Sequence, residues 1–253
     1  MSSKSKSAPA LGQPLPRGRH GLGADYVRAS QRARLVHAML TLVGERGYHA
    51  TTVPAVVAAA RASRNAFYQF FADKQACFLA ACDEASAEVV AKMKAFGAYP
   101  DWKLGLREGY AAYLQWWQDR PGLCMAFFVE MPTVGAAAHD RRARYFQPFE
   151  DMFTRLAARI RREQPALPPL PAFVPRMLVV ALHENLAEQV REGRVQRLTE
   201  ALDMFLYLTV KLLADDTTAR DVLQVAAGKA AAPASAPPAS TSSARTARRR
   251  HRR

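Results

Sequence analysis

The segment RASRNAFYQFFADK, residues 61–74, combines side chains with opposite preferences. Its polar side chains are of the types that hydrogen-bond DNA base edges or phosphate oxygens: Arg64, Asn65, Tyr68 and Gln69. Its aromatic side chains favour a core: Phe67, Phe70 and Phe71. On a helix the two sets fall on different faces, so one face can anchor the helix while the other is available to a partner. The alternative is a polar face that is only solvated.

Three short helices are predicted around this segment. Apolar residues recur at helical spacing from about Ser30 to Arg46, and Gly47 follows as a C-terminal cap. Thr52 and Ser63 are suitable N-caps for a second and a third helix, with a tight turn between those helices. Three short helices with a tight turn before the third are typical of a helix-turn-helix, whose recognition helix enters the major groove of DNA.

Residues 32–81 resemble the DNA-binding domain of TetR/AcrR-type transcriptional regulators. The shared features are a Glu-Arg-Gly-Tyr-like turn, a threonine pair, a Ser-Arg-x-x-Phe-Tyr-x-x-Phe helix and a lysine that follows. Here they are Glu45, Arg46, Gly47, Tyr48, Thr51, Thr52, Ser63, Arg64, Phe67, Tyr68, Phe71 and Lys74. The resemblance implies that the rest of the chain is a larger helical domain that binds a ligand and forms a dimer.

Three positions depart from the family pattern. Arg61 stands where the family usually has glycine, at a position that often needs a positive φ. Ala66 replaces a common phosphate-contacting threonine, and Phe70 replaces a residue that is commonly histidine or another polar residue. Two phosphate contacts are therefore expected to be missing, which should lower affinity for DNA more than it changes the register of binding.

The helix-turn-helix prediction gives each polar residue a role. Arg64 can bind guanine through two hydrogen bonds, Asn65 can bind adenine in the same way, and Gln69 is a further candidate for base contact. The predicted phosphate contacts are Thr52, Ser63, Tyr68 and Lys74.

The rest of the chain also has helical periodicity and no clear strand pattern, so the predicted fold class is all-α. Further helices are expected at about 101–119, 122–131, 136–164, 172–192 and 196–214. The last two should form a hairpin, and hairpins from two chains would pair into a four-helix bundle, which predicts a homodimer through about 172–214. The alternative is that the hairpin packs only within its own chain.

Charge divides the chain into a body and two basic tails. The formal net charge is +14; residues 1–24 contribute +4 and residues 229–253 contribute +7, with no acidic residue in either segment. We predict a disordered basic tail at 1–24, a DNA-binding domain at 25–75, a ligand-binding and dimerisation domain at 76–214, and a mostly disordered basic tail at 215–253. The tails either bind polyanions without sequence preference or only aid solubility.

Aromatic residues are frequent in the larger predicted domain, which would suit a pocket for a small apolar effector. The candidate pocket residues are Trp117, Phe127, Tyr145, Phe149 and His183. The alternative for each of them is an ordinary core position. The family resemblance implies that an effector bound there would alter the spacing of the two DNA-binding domains.

Other chemistries have little support in the sequence. HExxH, CxxC and GxSxG patterns do not occur, so we expect no metal ion, no cofactor and no catalysis. Cys77, Cys82 and Cys124 form no disulfide pattern, and no apolar run is long enough for a signal peptide or a membrane span. These features predict a cytoplasmic protein.

The predicted function is that of a ligand-responsive DNA-binding regulator that acts as a homodimer on a pseudo-palindromic operator, with repression as the expected sign. Two alternatives remain open. One is a ligand-independent DNA-binding protein that relies on its basic tails. The other is an enzyme built on a helical bundle, for which the sequence supplies no motif.

Overall fold

Helices make up the regular structure of this chain. The computed structural model describes residues 24–94, 97 and 99–231, and every regular element in that part of the chain is helical, as the predicted all-α class requires. The first four helices are α1 (Ala24–Arg46), α2 (Val53–Ala59), α3 (Arg64–Phe70) and α4 (Lys74–Lys94). The predicted basic tail at 1–24 lies outside the described residues, except for Ala24.

Capping interactions between near neighbours set the ends of these helices. Gly47, with a φ of 81°, follows the last residue of α1. The side chains of Thr52, Ser63 and Asp73 each accept a hydrogen bond from the backbone N–H three residues further on. The three predicted caps, Gly47, Thr52 and Ser63, are confirmed, although α1 begins six residues before the predicted start at Ser30.

Helices α1, α2 and α3 pack against one another as a three-helix head, and α4 packs against α1. The core of the head consists of aliphatic and phenylalanine side chains: Leu35, Val36, Met39, Val43, Val56, Val57, Phe67 and Phe71. Arg61 lies in the turn between α2 and α3 with a φ of 49°, the left-handed value expected for this position. In the described chain it is the only residue with a positive φ that is not a glycine.

The larger domain contains six more α-helices. These are α5 (Trp102–Gln118), α6 (Pro121–Cys124), α7 (Ala136–Glu163), α8 (Val174–Arg191), α9 (Leu202–Leu213) and α10 (Asp216–Ala231). A π-helical segment, Met125–Glu130, and a short 3₁₀ turn, Met131–Thr133, continue the chain after α6, and a 3₁₀ segment, Val195–Ala201, leads into α9. The helices predicted at 122–131 and 196–214 are therefore each built from more than one type of helix.

Helix α10 is absent from the predicted set of helices, because its sequence falls in the segment assigned to the C-terminal tail. Its first half packs on α9, with Ala219 and Val222 buried and the Asp215 side chain capping its first turn through Thr218. The assignment of residues 215–231 to a disordered tail is therefore corrected, while residues 232–253 lie outside the described part of the chain. The sequence-based prediction missed this helix because its segment is rich in alanine and has few large apolar residues to indicate a buried side.

The head also contacts α6 and the π-helical segment that follows it. The backbones of Gly44 in α1 and Gly122 in α6 meet so closely that a Cβ atom on Gly44 would lie 2.4 Å from the Gly122 carbonyl oxygen. Next to this contact, the backbone N–H of Tyr48 donates to the Glu130 carboxylate at 2.7 Å. The head is therefore packed directly against the segment between α6 and α7. Within the described residues, no helix combines the length and apolar character needed to cross a bilayer.

Candidate nucleic-acid interface and effector cavity

Helix α3 separates its aromatic and polar side chains onto different faces. Phe67 is fully buried, whereas the Tyr68 side chain next to it is 49% exposed. Arg64 and Tyr68 are one turn apart, as are Asn65 and Gln69, so these four exposed side chains form a continuous surface. No hydrogen bond or ion pair ties Arg64, Asn65 or Gln69 to other described residues, so their donors and acceptors are available to a partner.

Two predicted phosphate contacts, Thr52 and Ser63, lie at the N-termini of α2 and α3. Both side chains are exposed, and each hydroxyl oxygen accepts a backbone N–H, at 3.4 Å for Thr52 and 3.0 Å for Ser63. A hydroxyl that accepts one hydrogen bond can still donate its own proton, so capping leaves a donor for a phosphate oxygen. Their placement is compatible with the predicted role, which stays a prediction.

Lys74, the fourth predicted phosphate contact, is already engaged within the protein. Its Nζ atom donates to the Tyr48 carbonyl oxygen at 2.9 Å and lies 4.0 Å from the centre of the Tyr48 ring. Burial lowers the pKa of Lys74. The ammonium group has three donors, so one bond to Tyr48 leaves others for a phosphate. Sequence reasoning missed this second role of Lys74, which is to stabilise the turn between α1 and α2 through its contacts with Tyr48.

Sequence reasoning also missed two arginines of α1 that cover the aromatic side of α3. Arg28 lies 5.5 Å from the centre of the Phe70 ring, and Arg32 lies 5.5 Å from that of Phe71. Arg32 also forms an ion pair with Glu84 of α4. Phe70 is half-buried under this cover. The spacing of four residues indicates that the two arginines share one face of α1. It does not indicate which helix that face contacts.

The five predicted pocket residues line one small cavity of about 50 Å³ in the larger domain. The Phe127 ring lies close to three of the others, with its centre 5.1 Å from that of Trp117, 5.4 Å from that of Tyr145 and 6.3 Å from that of His183. Phe149 closes the cavity on another side. The sequence prediction brought together residues from four separate segments, and the structure places them around the same space. Whether a ligand binds there stays a prediction.

His183 is the unusual polar group of this cavity. It is buried, and its Nε2 atom has no hydrogen-bond partner among the described residues. Burial, assisted by the positive charge of Arg142, lowers the pKa of His183 to about 3, so its imidazole is neutral at neutral pH. A neutral imidazole with an unused nitrogen could donate or accept one hydrogen bond with a ligand. Across the described residues, no three metal-binding side chains cluster.

A second and larger cavity, of about 480 Å³, lies beyond Phe149 between α4, α5 and α7. Apart from Phe149, sequence reasoning did not identify its lining residues, among them Trp102, Leu106, Met152 and Arg155. They come from helices whose apolar positions look like ordinary core positions when each helix is considered alone. The space appears only when the three helices are packed together.

The wall of the small cavity and the contact with the head share one segment. Phe127 and Phe128 pack around Trp117 and His183, and Glu130, at the end of the same π-helical segment, accepts the Tyr48 N–H. π-Helical turns are uncommon and often lie at functional sites. A ligand that moves Phe127 would therefore act on the segment that contacts the base of the head.

These observations define a helix-turn-helix protein with a capped recognition helix and a separate helical body. Residues 35–81 match the sequence profile of the family described as "Bacterial regulatory proteins, tetR family". This match agrees with the resemblance that residues 32–81 show in the sequence. In contrast, no curated protein matches its sequence.

Solved structures with the same fold extend the likeness over most of the chain. The fatty acid degradation regulator FadR from Bacillus halodurans aligns with a TM-score of 0.62 at 15% identity, over 72% of this chain and 97% of that one. FadR from Bacillus subtilis in complex with stearoyl-CoA also gives 0.62, at 12% identity, with 72% and 98% covered. SmeT, the repressor of a multidrug efflux pump of Stenotrophomonas maltophilia, gives 0.59 at 17% identity, with 71% and 88% covered. At these identities the likeness establishes the fold alone.

Proposed function

We propose that the protein is a ligand-responsive transcriptional repressor that binds a pseudo-palindromic DNA operator as a homodimer. The observation that carries the proposal is the exposed polar face of α3, where Arg64, Asn65 and Gln69 have unused hydrogen-bonding groups above a buried Phe67. A helix anchored by its aromatic side and polar on its outer side is suited to the major groove.

In the proposed complex, Arg64 forms two hydrogen bonds with a guanine, Asn65 forms two with an adenine, and Gln69 adds a third base contact. The residues that would hold phosphates surround this face: Thr52, Ser63, Tyr68 and Lys74. The backbone N–H groups at the N-terminus of α2 supplement them. Together these contacts would set the register of α3 on the operator.

Exposed apolar side chains on the last long helices support the homodimer. Phe173 and Met177, one turn apart at the start of α8, are 65% and 57% exposed, and Tyr207 of α9 is 45% exposed. Large apolar side chains that group on a surface are typical of protein interfaces. Pairing the α8–α9 hairpins of two chains would bury them, and half-site centres roughly 34–36 Å apart, or a multiple of that distance, would match the two heads.

Effector binding in the larger domain would act on the heads through Glu130. A ligand that displaces Phe127 shifts the π-helical segment, and the hydrogen bond from Tyr48 to Glu130 passes this shift to the base of the head. The effect on DNA affinity cannot exceed the difference in the ligand's affinity for the two conformations. FadR with stearoyl-CoA is one protein of similar fold that holds an organic ligand, and SmeT with triclosan is another.

We further propose that the protein acts in the cytoplasm. Cys77, Cys82 and Cys124 are free and buried, and burial raises the pKa of each thiol. Unpaired thiols of this kind are typical of a reducing compartment.

The proposal is tested by selecting bound fragments from a random pool of double-stranded DNA. The expected result is an enriched inverted repeat, bound by two chains, as measured by light scattering of the complex. Binding of all fragments alike, with a steep dependence on salt, would instead indicate that the basic tails alone bind DNA.

A further inference from the structure

The cavity between α4, α5 and α7 has the size of a ligand site. Its volume, about 480 Å³, falls within the range of roughly 300–1,000 Å³ that is usual for small-molecule pockets. The small cavity around Phe127, at about 50 Å³, falls far below that range. Of these two cavities, only the larger can accept an organic ligand without rearrangement of its walls.

Most of the cavity surface is apolar. Gly105 and Gly109 lie one turn apart on α5 and are both buried, and Leu106 lies between them. Met152 on α7 and Trp102 at the start of α5 add further apolar surface to the lining. Because glycine lacks a side chain, a ligand can approach the backbone of α5 closely at these positions. Such a surface suits an elongated hydrocarbon body.

The rim carries three arginines from one face of α7. Arg155, Arg159 and Arg162 follow one another at helical spacing, and no aspartate or glutamate is among the described residues that line the cavity. Arg159 donates to the carbonyl oxygens of Tyr99 and Pro100 and pairs with Glu163, which fixes its position. Arg155 and Arg162 are exposed and form no ion pair with other described residues. The rim is therefore positively charged, with two guanidinium groups available to an anion.

The cavity also adjoins the proposed effector site, because Phe149 belongs to the walls of both. The Phe149 ring is half-buried and packs edge-on against Tyr113, with ring centres 5.9 Å apart. An apolar group that enters from the arginine rim would therefore meet the same phenylalanine that closes the space around Phe127.

We propose that this cavity binds an amphipathic anion. The apolar body lies along Leu106 and Met152, and a carboxylate or phosphate head group binds Arg155 and Arg162 at the rim. The site stands on the geometry and charge of the cavity alone, whereas an effect of this ligand on DNA affinity rests on the proposed function.

The test compares four probes with an unbranched ten-carbon chain, counting the carboxyl carbon of the first, and with different head groups: decanoate, decyl phosphate, decanol and decyltrimethylammonium. Binding is followed by the fluorescence of the wild-type protein, which has Trp102 in the cavity wall, and by calorimetry. We expect at least one anion to bind about tenfold or more tightly than decanol, and the cation to bind most weakly. The stronger of the two anions identifies the head group. Equal affinity for all four probes would overturn the proposal.

The double variant Arg155→Gln/Arg162→Gln should reduce affinity for the preferred anion about tenfold or more and leave decanol binding unchanged. Both arginines are exposed, so folding should be unaffected. The matched control is Lys92→Gln/Arg220→Gln, which removes the same charge from exposed positions outside the cavity lining and should bind as wild type does. Equal losses in both double variants would show that only net charge matters and would reject the site.

A cavity-filling variant, Met152→Trp, should weaken decanoate and decanol alike while circular dichroism shows the wild-type helical signal. Unchanged binding of both probes would place the ligand elsewhere. Operator binding is titrated in parallel without probe. If the anion binds and no operator is found, the cavity site is supported and the proposed function is rejected. If the operator is bound and the four probes bind equally, the proposed function is supported and the cavity site is rejected.

Discussion

Replacing Arg64 by alanine should reduce DNA affinity at almost no cost in folding stability. The Arg64 side chain is exposed at the start of α3, and no hydrogen bond or ion pair connects it to other described residues. Its removal therefore leaves no buried group without a partner. Surface substitutions of this kind usually change the free energy of unfolding by no more than about 0.5 kcal/mol.

The expected loss of binding is larger, because a dimer would carry two copies of the contact. A good bidentate pair between arginine and guanine is worth about 1–3 kcal/mol of discrimination. Two of them give about 2–6 kcal/mol, so affinity for the full operator should fall about 30-fold or more. An operator whose guanine is replaced in both half-sites has already lost this contact, and Arg64→Ala should bind it nearly as well as the wild type does.

Fluorescence anisotropy titrations at one fixed salt concentration measure this effect. The wild type, Arg64→Ala and the exposed control Arg220→Ala are each titrated against the selected operator and against versions with one base pair changed symmetrically. Only Arg64→Ala should lose discrimination, and only at one position per half-site. The reasoning is refuted if Arg64→Ala weakens binding to every sequence by the same factor, or if Arg220→Ala behaves as Arg64→Ala does.

Three further predictions concern other parts of the chain. Arg61→Gly should raise the free energy of unfolding by about 1 kcal/mol, because glycine adopts the φ of 49° without strain. A denaturation midpoint equal to or below that of the wild type would contradict this prediction. Glu130→Gln weakens the 2.7 Å hydrogen bond from the Tyr48 N–H and should lower the melting temperature by about 2–4 °C for each kcal/mol of stability lost. An unchanged melting temperature would show that Glu130 does not stabilise the contact between the head and the larger domain. His183 is neutral in the folded protein, since its pKa is lowered to about 3, and takes up a proton on unfolding below its ordinary 6.5. The contribution of His183 to stability is therefore fully present above pH 6.5 and falls as the pH drops towards 3, by about 2 kcal/mol between pH 7 and pH 5. In urea titrations at these two pH values, His183→Leu should not show this loss of stability. An equal pH dependence in both proteins would contradict the prediction.

The features of the head that were predicted correctly depend on residues close together in the chain. Gly47, Thr52 and Ser63 end or begin helices through bonds that span no more than four residues. The buried position of Phe67 and the exposure of Tyr68 follow from helical spacing. The positive φ of Arg61 agrees with the family resemblance, in which glycine usually occupies this position. Local sequence carries these features because the interacting groups are neighbours whatever the remainder of the chain does.

The sequence by itself determined the all-α class, the helix-turn-helix head and the polar face of α3, since capping and helical periodicity act over one or two turns. Only the tertiary structure decided which distant groups meet. It brought Glu130 to Tyr48, 82 residues away, and placed the arginines of α7 around a cavity walled by α4 and α5. It also buried Ala219 and Val222 in the first half of α10, where few large apolar residues give a hydrophobic signal. Such contacts depend on how whole helices pack, and the periodicity of a single helix does not contain that information.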